Sequence, residues 1–271
     1  MRTIAVMNQK GGVGKTTTAV NLAAALAESG CRVCLIDIDP QAHATLHLGR
    51  TPQRGETTIY DVLTGEVPLS AARGQVAENL WLVSSQIDLA AAEVELAGVV
   101  GRELILRDRL TAETETFDYV LIDCPPSLGL LTINALATVE EVILPLQPHF
   151  LALHGLSKLL STLDLVHRRL NNRLRLSGVV LCMYDAATKL AAEVSHDVQQ
   201  FFSQPGERPA CWSATAVFQT RIRRNVRLAE APSYGQSIFR YAPNCNGADD
   251  YRALAREITA VGSHTAQRRA A

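Results

Sequence analysis

Eight consecutive residues carry the strongest chemical signal in this 271-residue chain: Lys10, Gly11, Gly12, Val13, Gly14, Lys15, Thr16 and Thr17. They follow a short apolar run and open a segment of helical period, the setting that a phosphate-binding loop requires. Glycine lets successive backbone N–H groups approach phosphate oxygens closely. The start of the following helix adds partial positive charge. In such a loop Lys15 reaches the β- and γ-phosphates, and the Thr16 hydroxyl ligates Mg²⁺. The expected ligand is a nucleoside triphosphate.

Carboxylates stand where that ligand needs them. Asp37-Ile-Asp39-Pro-Gln41 ends the second apolar run, and alternation places Asp37 and Asp39 on one side if the strand continues that far. Two acids near a triphosphate hold Mg²⁺ through water or orient the attacking water. Asp118-Tyr-Val-Leu-Ile-Asp123 is an apolar strand ending in an acid, the form in which Asp123 binds Mg²⁺ through a water.

Positioning these groups takes alternating strands and helices. Short apolar runs at 3–7, 32–37, 80–83, 119–123, 141–146, 177–182 and 216–219 read as strands. Residues 16–29 place Ala19, Leu22, Ala23 and Leu26 on one helical face, and Gly30 supplies a stop. Continuous apolar strands separated by helices predict an α/β fold, a mostly parallel central sheet flanked by helices on both faces. Residues 51–58 and 203–213 read as loops. With no composition break, 1–258 is expected to be one domain, and the small, polar tail 259–271 is expected to fray.

Composition narrows the function classes. Hydrophobic residues at 47% and charged residues at 20% fit a soluble globular protein. No apolar run nears the roughly 18–20 residues that span a bilayer, and the N-terminus is too short for a signal peptide; a cytoplasmic protein is expected. Cys31 and Cys34 form a C-x-x-C, but Cys34 sits in an apolar strand and no second pair completes a metal or redox site. A net charge of −1 argues against a chain-wide basic nucleic-acid binder. Charge is nonetheless uneven: 86–118 carries net −5, and 221–240 carries net +4. A local basic patch can bind phosphate backbones.

The glycine-rich run has Gln9 where the general phosphate-loop pattern has glycine, and an additional lysine, Lys10. This form resembles the deviant Walker A motif of the ParA/MinD superfamily of P-loop NTPases. Asp37-Ile-Asp-Pro-Gln41 resembles its switch I, and Asp123 with Cys-Pro-Pro-Ser-Leu resembles its Walker B and switch II. Arg224-Asn-Val-Arg-Leu-Ala-Glu-Ala-Pro-Ser-Tyr-Gly235 resembles the ParA/Soj branch, and the likeness covers about residues 3–258. The resemblance implies an ATPase using ATP and Mg²⁺. Its catalytic residues would be Lys10, Lys15 and Asp39, with Lys10 crossing a homodimer interface to the partner's nucleotide and Asp39 positioning the hydrolytic water. Thr16, Asp39 and Asp123 would serve the metal. It further implies an ATP-dependent homodimer that binds double-stranded DNA non-specifically, a ParB-like stimulating protein, partition or positioning of cargo, and a nucleoid-associated, cytoplasmic location. Arg221, Arg224, Arg227 and Arg240 are the candidate DNA contacts.

The chain departs from the family pattern in several places. Arg223 replaces a proline near the expected adenine pocket. His149 and His154 stand where glutamates are common, Asp185-Ala-Ala-Thr-Lys189 lacks an arginine found in many relatives, and 205–213 reads as an insertion. Other functions of the same fold are poorly served. A MinD-like membrane-cycling regulator needs bulky apolar residues on a terminal amphipathic helix, and the tail offers only Val261; no stable membrane association is expected. An iron–sulfur reductase needs placed cysteine pairs, and a small-molecule kinase needs a substrate pocket that no motif marks.

Overall fold

The computed structural model describes residues 1–149, 155–204 and 208–270, with side chains described through Ala260. Among the described residues are eight strands: β1 (Arg2–Val6), β2 (Val33–Asp37), β3 (Arg73–Ala77), β4 (Leu80–Val83), β5 (Tyr119–Asp123), β6 (Glu141–Leu146), β7 (Arg175–Tyr184) and β8 (Ala216–Arg223). They form one sheet in the order β3-β4-β2-β5-β1-β6-β7-β8. Every pairing is parallel except β3 with β4. From β1 the chain moves out through β2 to the β3–β4 edge, returns as β5 between β2 and β1, then crosses to β6 and continues through β7 to the other edge at β8. That makes β1 the topological switch point, where open α/β sheets bind ligands beyond the carboxyl ends of their strands.

Alternation along each strand sorts the interior into two layers. Ile4, Val6, Val33, Leu35 and Leu121 face one layer, and Ala5, Cys34, Ile36, Val120 and Ile122 face the other. The first layer is covered by α1 (Lys15–Glu28) and α11 (Asn246–Ala270), with the short α2 (His43–His47), α9 (Val226–Glu230) and α10 (Ile238–Tyr241) at its margin. The second is covered by α3 (Ile59–Thr64), α4 (Leu89–Glu95), α5 (Ile105–Thr111), α6 (Leu130–Thr138), α7 (Leu156–Arg169) and α8 (Lys189–Ser203). Strands buried on both faces explain the unbroken apolar runs of the sequence.

Two differences from the sequence reading have physical causes. β3 was not expected because Arg-Gly-Gln-Val-Ala is polar; it is an edge strand, paired only with β4. β8 runs on through Arg223, since the opposite edge also tolerates polar residues. The last helix, α11, runs past Ile258 to Ala270. Its Ala, Gln and Arg residues favour helix. His154 and residues 205–207 of the expected insertion lie outside the described residues. Among the described residues no helix is long and apolar enough to cross a membrane. Cys34 is buried, and among the described residues no cluster able to hold a metal forms around it.

Candidate nucleotide site

The loop between β1 and α1 turns through Gly12 (φ 72°) and Gly14 (φ 93°), both in the left-handed region that glycine adopts without strain. Gly14 caps α1 with no side-chain acceptor, so the first amides of that helix remain available to an anion. Lys15 is buried and its Nζ donates to the Lys10 carbonyl at 3.1 Å, closing the loop on itself. Burial pulls its ammonium below the usual lysine range, against the opposing charges of Asp123 and Asp39. Lys10 is exposed; its Nζ meets the ring of His149 beyond the loop. The two lysines therefore point to different places.

Asp37 and Asp123 sit side by side as register partners of β2 and β5, and Val6 of β1 pairs with Asp123 on its other side. Asp37 accepts from the Thr45 amide (2.8 Å), the Thr45 hydroxyl (2.7 Å) and the Asp39 amide (3.1 Å). Burial raises its carboxyl to about 6 in spite of those donors. Asp123 is fully buried, and among the described residues neither of its carboxyl oxygens has a hydrogen-bond partner. Burial, then the charges of Asp37 and Asp39, push it well above the carboxylate range; the nearby Thr16 hydroxyl and Lys15 pull the other way without offsetting this. Asp39 is also buried, its Oδ1 accepting from the Gln41 amide at 2.9 Å.

A buried, unpartnered carboxylate is costly, and here it lies beside a threonine hydroxyl at the mouth of a phosphate loop. The donor set is all oxygen, which suits Mg²⁺. Asp123 and Thr16 are the residues that would serve the metal, with Asp39 near. A bound cation would supply charge neutralisation for the phosphates.

Next to Gly14 and Thr17 opens a cavity of about 360 Å³, lined among others by Met183, Arg224, Asn225 and Tyr251. Its walls are mainly apolar, as a base pocket requires. Met183 holds φ 52°, a left-handed conformation uncommon without glycine, where β7 bulges against β8. Sequence reasoning placed the Arg224 segment near the base but missed Cys182, Met183 and Tyr251, which reach the cavity from β7 and α11; no local pattern marks them. Arg223, which replaces the family's proline, is held by Asp250 through contacts of 2.6–3.1 Å.

The four candidate DNA contacts have different surroundings. Arg221 stacks 4.4 Å over the Tyr184 ring and donates to its hydroxyl at 2.5 Å. Arg227 pairs with Glu230 at 2.9 Å. Arg224 lines the cavity at the N-terminal end of α1, whereas Arg240 lines a separate groove with Ala24, Ala27 and Glu28 at the other end.

Comparison with known proteins agrees with this geometry. A family model described as an AAA domain matches residues 1–176. The sporulation initiation inhibitor protein Soj of Bacillus subtilis is 46% identical over 260 residues, covering 96% of this chain and 98% of that protein. The chromosome partitioning protein ParA of Caulobacter vibrioides is 45% identical over 263 residues, covering 95% and 94%. Among solved structures, cobyrinic acid a,c-diamide synthase from Mycobacterium smegmatis with bound ATP analogue and magnesium superposes with a TM-score of 0.78 at 37% identity, covering 94% of this chain and 93% of that one. The chain belongs to the ParA/Soj family within the ParA/MinD group of P-loop proteins, and it is an ATPase whose cofactors are ATP and Mg²⁺.

Proposed function

We propose that this protein is a partition ATPase: ATP closes a homodimer, the dimer binds double-stranded DNA without sequence preference, and a ParB-like protein stimulates hydrolysis to release it. On this reading it works in the cytoplasm on the nucleoid and positions a chromosome, plasmid or other cargo. The single observation that carries it is the divergence of the two loop lysines. Lys15 turns inward onto its own loop. Lys10 is exposed and directed away, toward His149. A second lysine so placed duplicates nothing in its own subunit and can serve a nucleotide across an interface.

Within one subunit, Lys15 and the amides of Gly12, Val13, Gly14, Thr16 and Thr17 cradle the phosphates, with Gly11 and Lys10 at the entrance. Asp39 orients the attacking water.

The test is light scattering of Asp39→Ala protein, alone and combined with Lys10→Ala. An ATP-dependent dimer is expected for the single variant, and a monomer that still binds ATP for the double. A strict monomer of Asp39→Ala at saturating ATP overturns the dimer reading.

A further inference from the structure

A closed circuit of hydrogen bonds surrounds the backbone of Asp39. The Thr45 amide and hydroxyl both donate to Asp37 Oδ2, at 2.8 and 2.7 Å. That same hydroxyl oxygen accepts from the Ser85 amide at 2.9 Å. The Ser85 hydroxyl donates to the Asp39 carbonyl at 2.7 Å. The Asp39 amide donates back to Asp37 Oδ1 at 3.1 Å. The four residues come from the end of β2, from α2 and from the segment leaving β4. Thr45 and Ser85 are fully buried, so neither can touch nucleotide from its present position.

The circuit grips Asp39 at both of its backbone polar groups. Its carbonyl also accepts the Ala42 amide at 2.9 Å, across a turn in which Ala42 holds φ 52°. A non-glycine residue in the left-handed region costs of order 1–2 kcal/mol and persists where surrounding contacts over-determine it. Among the described residues the side chain is fixed from one side only: Oδ1 accepts from the Gln41 amide. The peptide is thereby fixed while one carboxylate oxygen stays available.

We propose that Thr45 and Ser85 are positioning residues for hydrolysis, setting the place of the Asp39 carboxylate without contacting the nucleotide. The proposal rests on Asp39 orienting the attacking water. Misplacement of a reacting group by about 1 Å can cost on the order of 100-fold in rate. Loss of either hydroxyl should therefore lower turnover and leave the phosphate cradle as it was.

The experiment compares Thr45→Val, Thr45→Ser, Ser85→Ala and Asp39→Ala. Each is measured for single-turnover ATP hydrolysis, for affinity toward a fluorescent ATP analogue with Mg²⁺, and for melting temperature. Thr45→Val and Ser85→Ala are expected to lose about 10- to 100-fold in hydrolysis rate, with affinity within about twofold of the parent. Thr45→Ser, which keeps the hydroxyl, should restore most of the rate. Adding Ser85→Ala to Asp39→Ala should cost nothing further, because both act through one group. Parental rates for Thr45→Val and Ser85→Ala, with Asp39→Ala inactive, overturn the positioning role. So does a fall in affinity and melting temperature parallel to the fall in rate, since that is a structural effect. If Thr45→Val does not fold, Ser85→Ala, which leaves the Thr45 bonds in place, decides alone. A fully active Asp39→Ala would instead remove the reading of Asp39 on which the proposal depends.

Discussion

Asp37 and Asp123 are register partners at the carboxyl ends of β2 and β5, yet among the described residues Asp37 accepts three hydrogen bonds and Asp123 accepts none. Two neighbouring buried acids thus have different work. Asp37 is spent on holding α2 and the Asp39 peptide. Asp123 is left with bare oxygens facing Thr16 and Lys15, at some cost to the nucleotide-free chain.

That cost gives a pH dependence with a definite sign. Both carboxyls are raised in the folded chain, Asp37 from 3.8 to about 6. The two carboxyls together therefore hold more protons in the folded state than in the unfolded state across this range, so their contribution to stability falls as pH rises; buried His47, lowered from 6.5 to about 4, works against them below its unfolded value. Nucleotide-free protein in a chelator should melt lower at about pH 7 than at about pH 5. Asp123→Asn should flatten this trend and raise the neutral-pH melting temperature. It should also lose most of the stabilisation that Mg²⁺ and ATP give the parent. An unchanged trend in Asp123→Asn assigns the effect to Asp37 alone.

Lys15→Ala and Asp39→Ala should separate binding from chemistry. The first removes charge from the phosphate cradle and should reduce ATP affinity by more than about tenfold. The second leaves the cradle intact; affinity should stay within a few-fold while hydrolysis falls about 100-fold or more. Nucleotide titration and a phosphate-release assay read the two effects independently. Equal loss of affinity in both would make Asp39 a metal or structural residue.

The phosphate loop, β4, β5 and β6 were legible because each signal is local. Gly-Lys-Thr-Thr names its own geometry, and strands such as Tyr119–Asp123 are apolar on both faces. β3 was hidden by its composition: the Arg73 side chain is buried only because Glu113 and Glu115 come to it from about forty residues away. Ser85 was hidden for the same reason. Its bond to Asp39 spans 46 residues, and nothing in the spacing announces it. Spacing is equally silent on Arg224 and Arg240, which are close in sequence yet line cavities at opposite ends of α1.

Backbone contact at one glycine pair gives a stability prediction independent of the chemistry. Gly235 holds φ 63°, and a Cβ there would lie 2.7 Å from the Gly49 Cα. Neither backbone can retreat without disturbing α2 or the segment before α10. Gly235→Ala should cost about 1–3 kcal/mol, a fall of roughly 2–4 °C in melting temperature per kcal/mol. Gly98→Ala, where a Cβ meets nothing within 4 Å, should change stability by less than about 0.5 kcal/mol. Equal behaviour of the two variants would mean that the Gly49–Gly235 contact relaxes freely.

DNA binding should require ATP, ignore sequence and depend most on Arg224 and Arg240. Arg227 is committed to Glu230 and Arg221 to the Tyr184 ring, so each would give up an existing contact to reach a phosphate. Arg224 and Arg240 are exposed, and neither forms an ion pair among the described residues. They line separate cavities at the two ends of the 14-residue α1. Pairing two subunits multiplies the contacts offered to one duplex and raises affinity through effective concentration. Phosphate contacts release counterions, so affinity should fall steeply with salt and barely change with sequence. Replacing both arginines with alanine should weaken binding uniformly and reduce the salt slope by about one for each phosphate no longer neutralised. Because Arg224 also lines the cavity beside Gly14 and Thr17, ATP affinity and dimerisation must be measured on the same variant; a DNA defect with both intact assigns the surface. A retention assay with unrelated fragments at several salt concentrations, with ATP, with ADP and without nucleotide, reads all of this. Nucleotide-independent binding, or an unchanged double variant, would place the DNA surface elsewhere on the molecule.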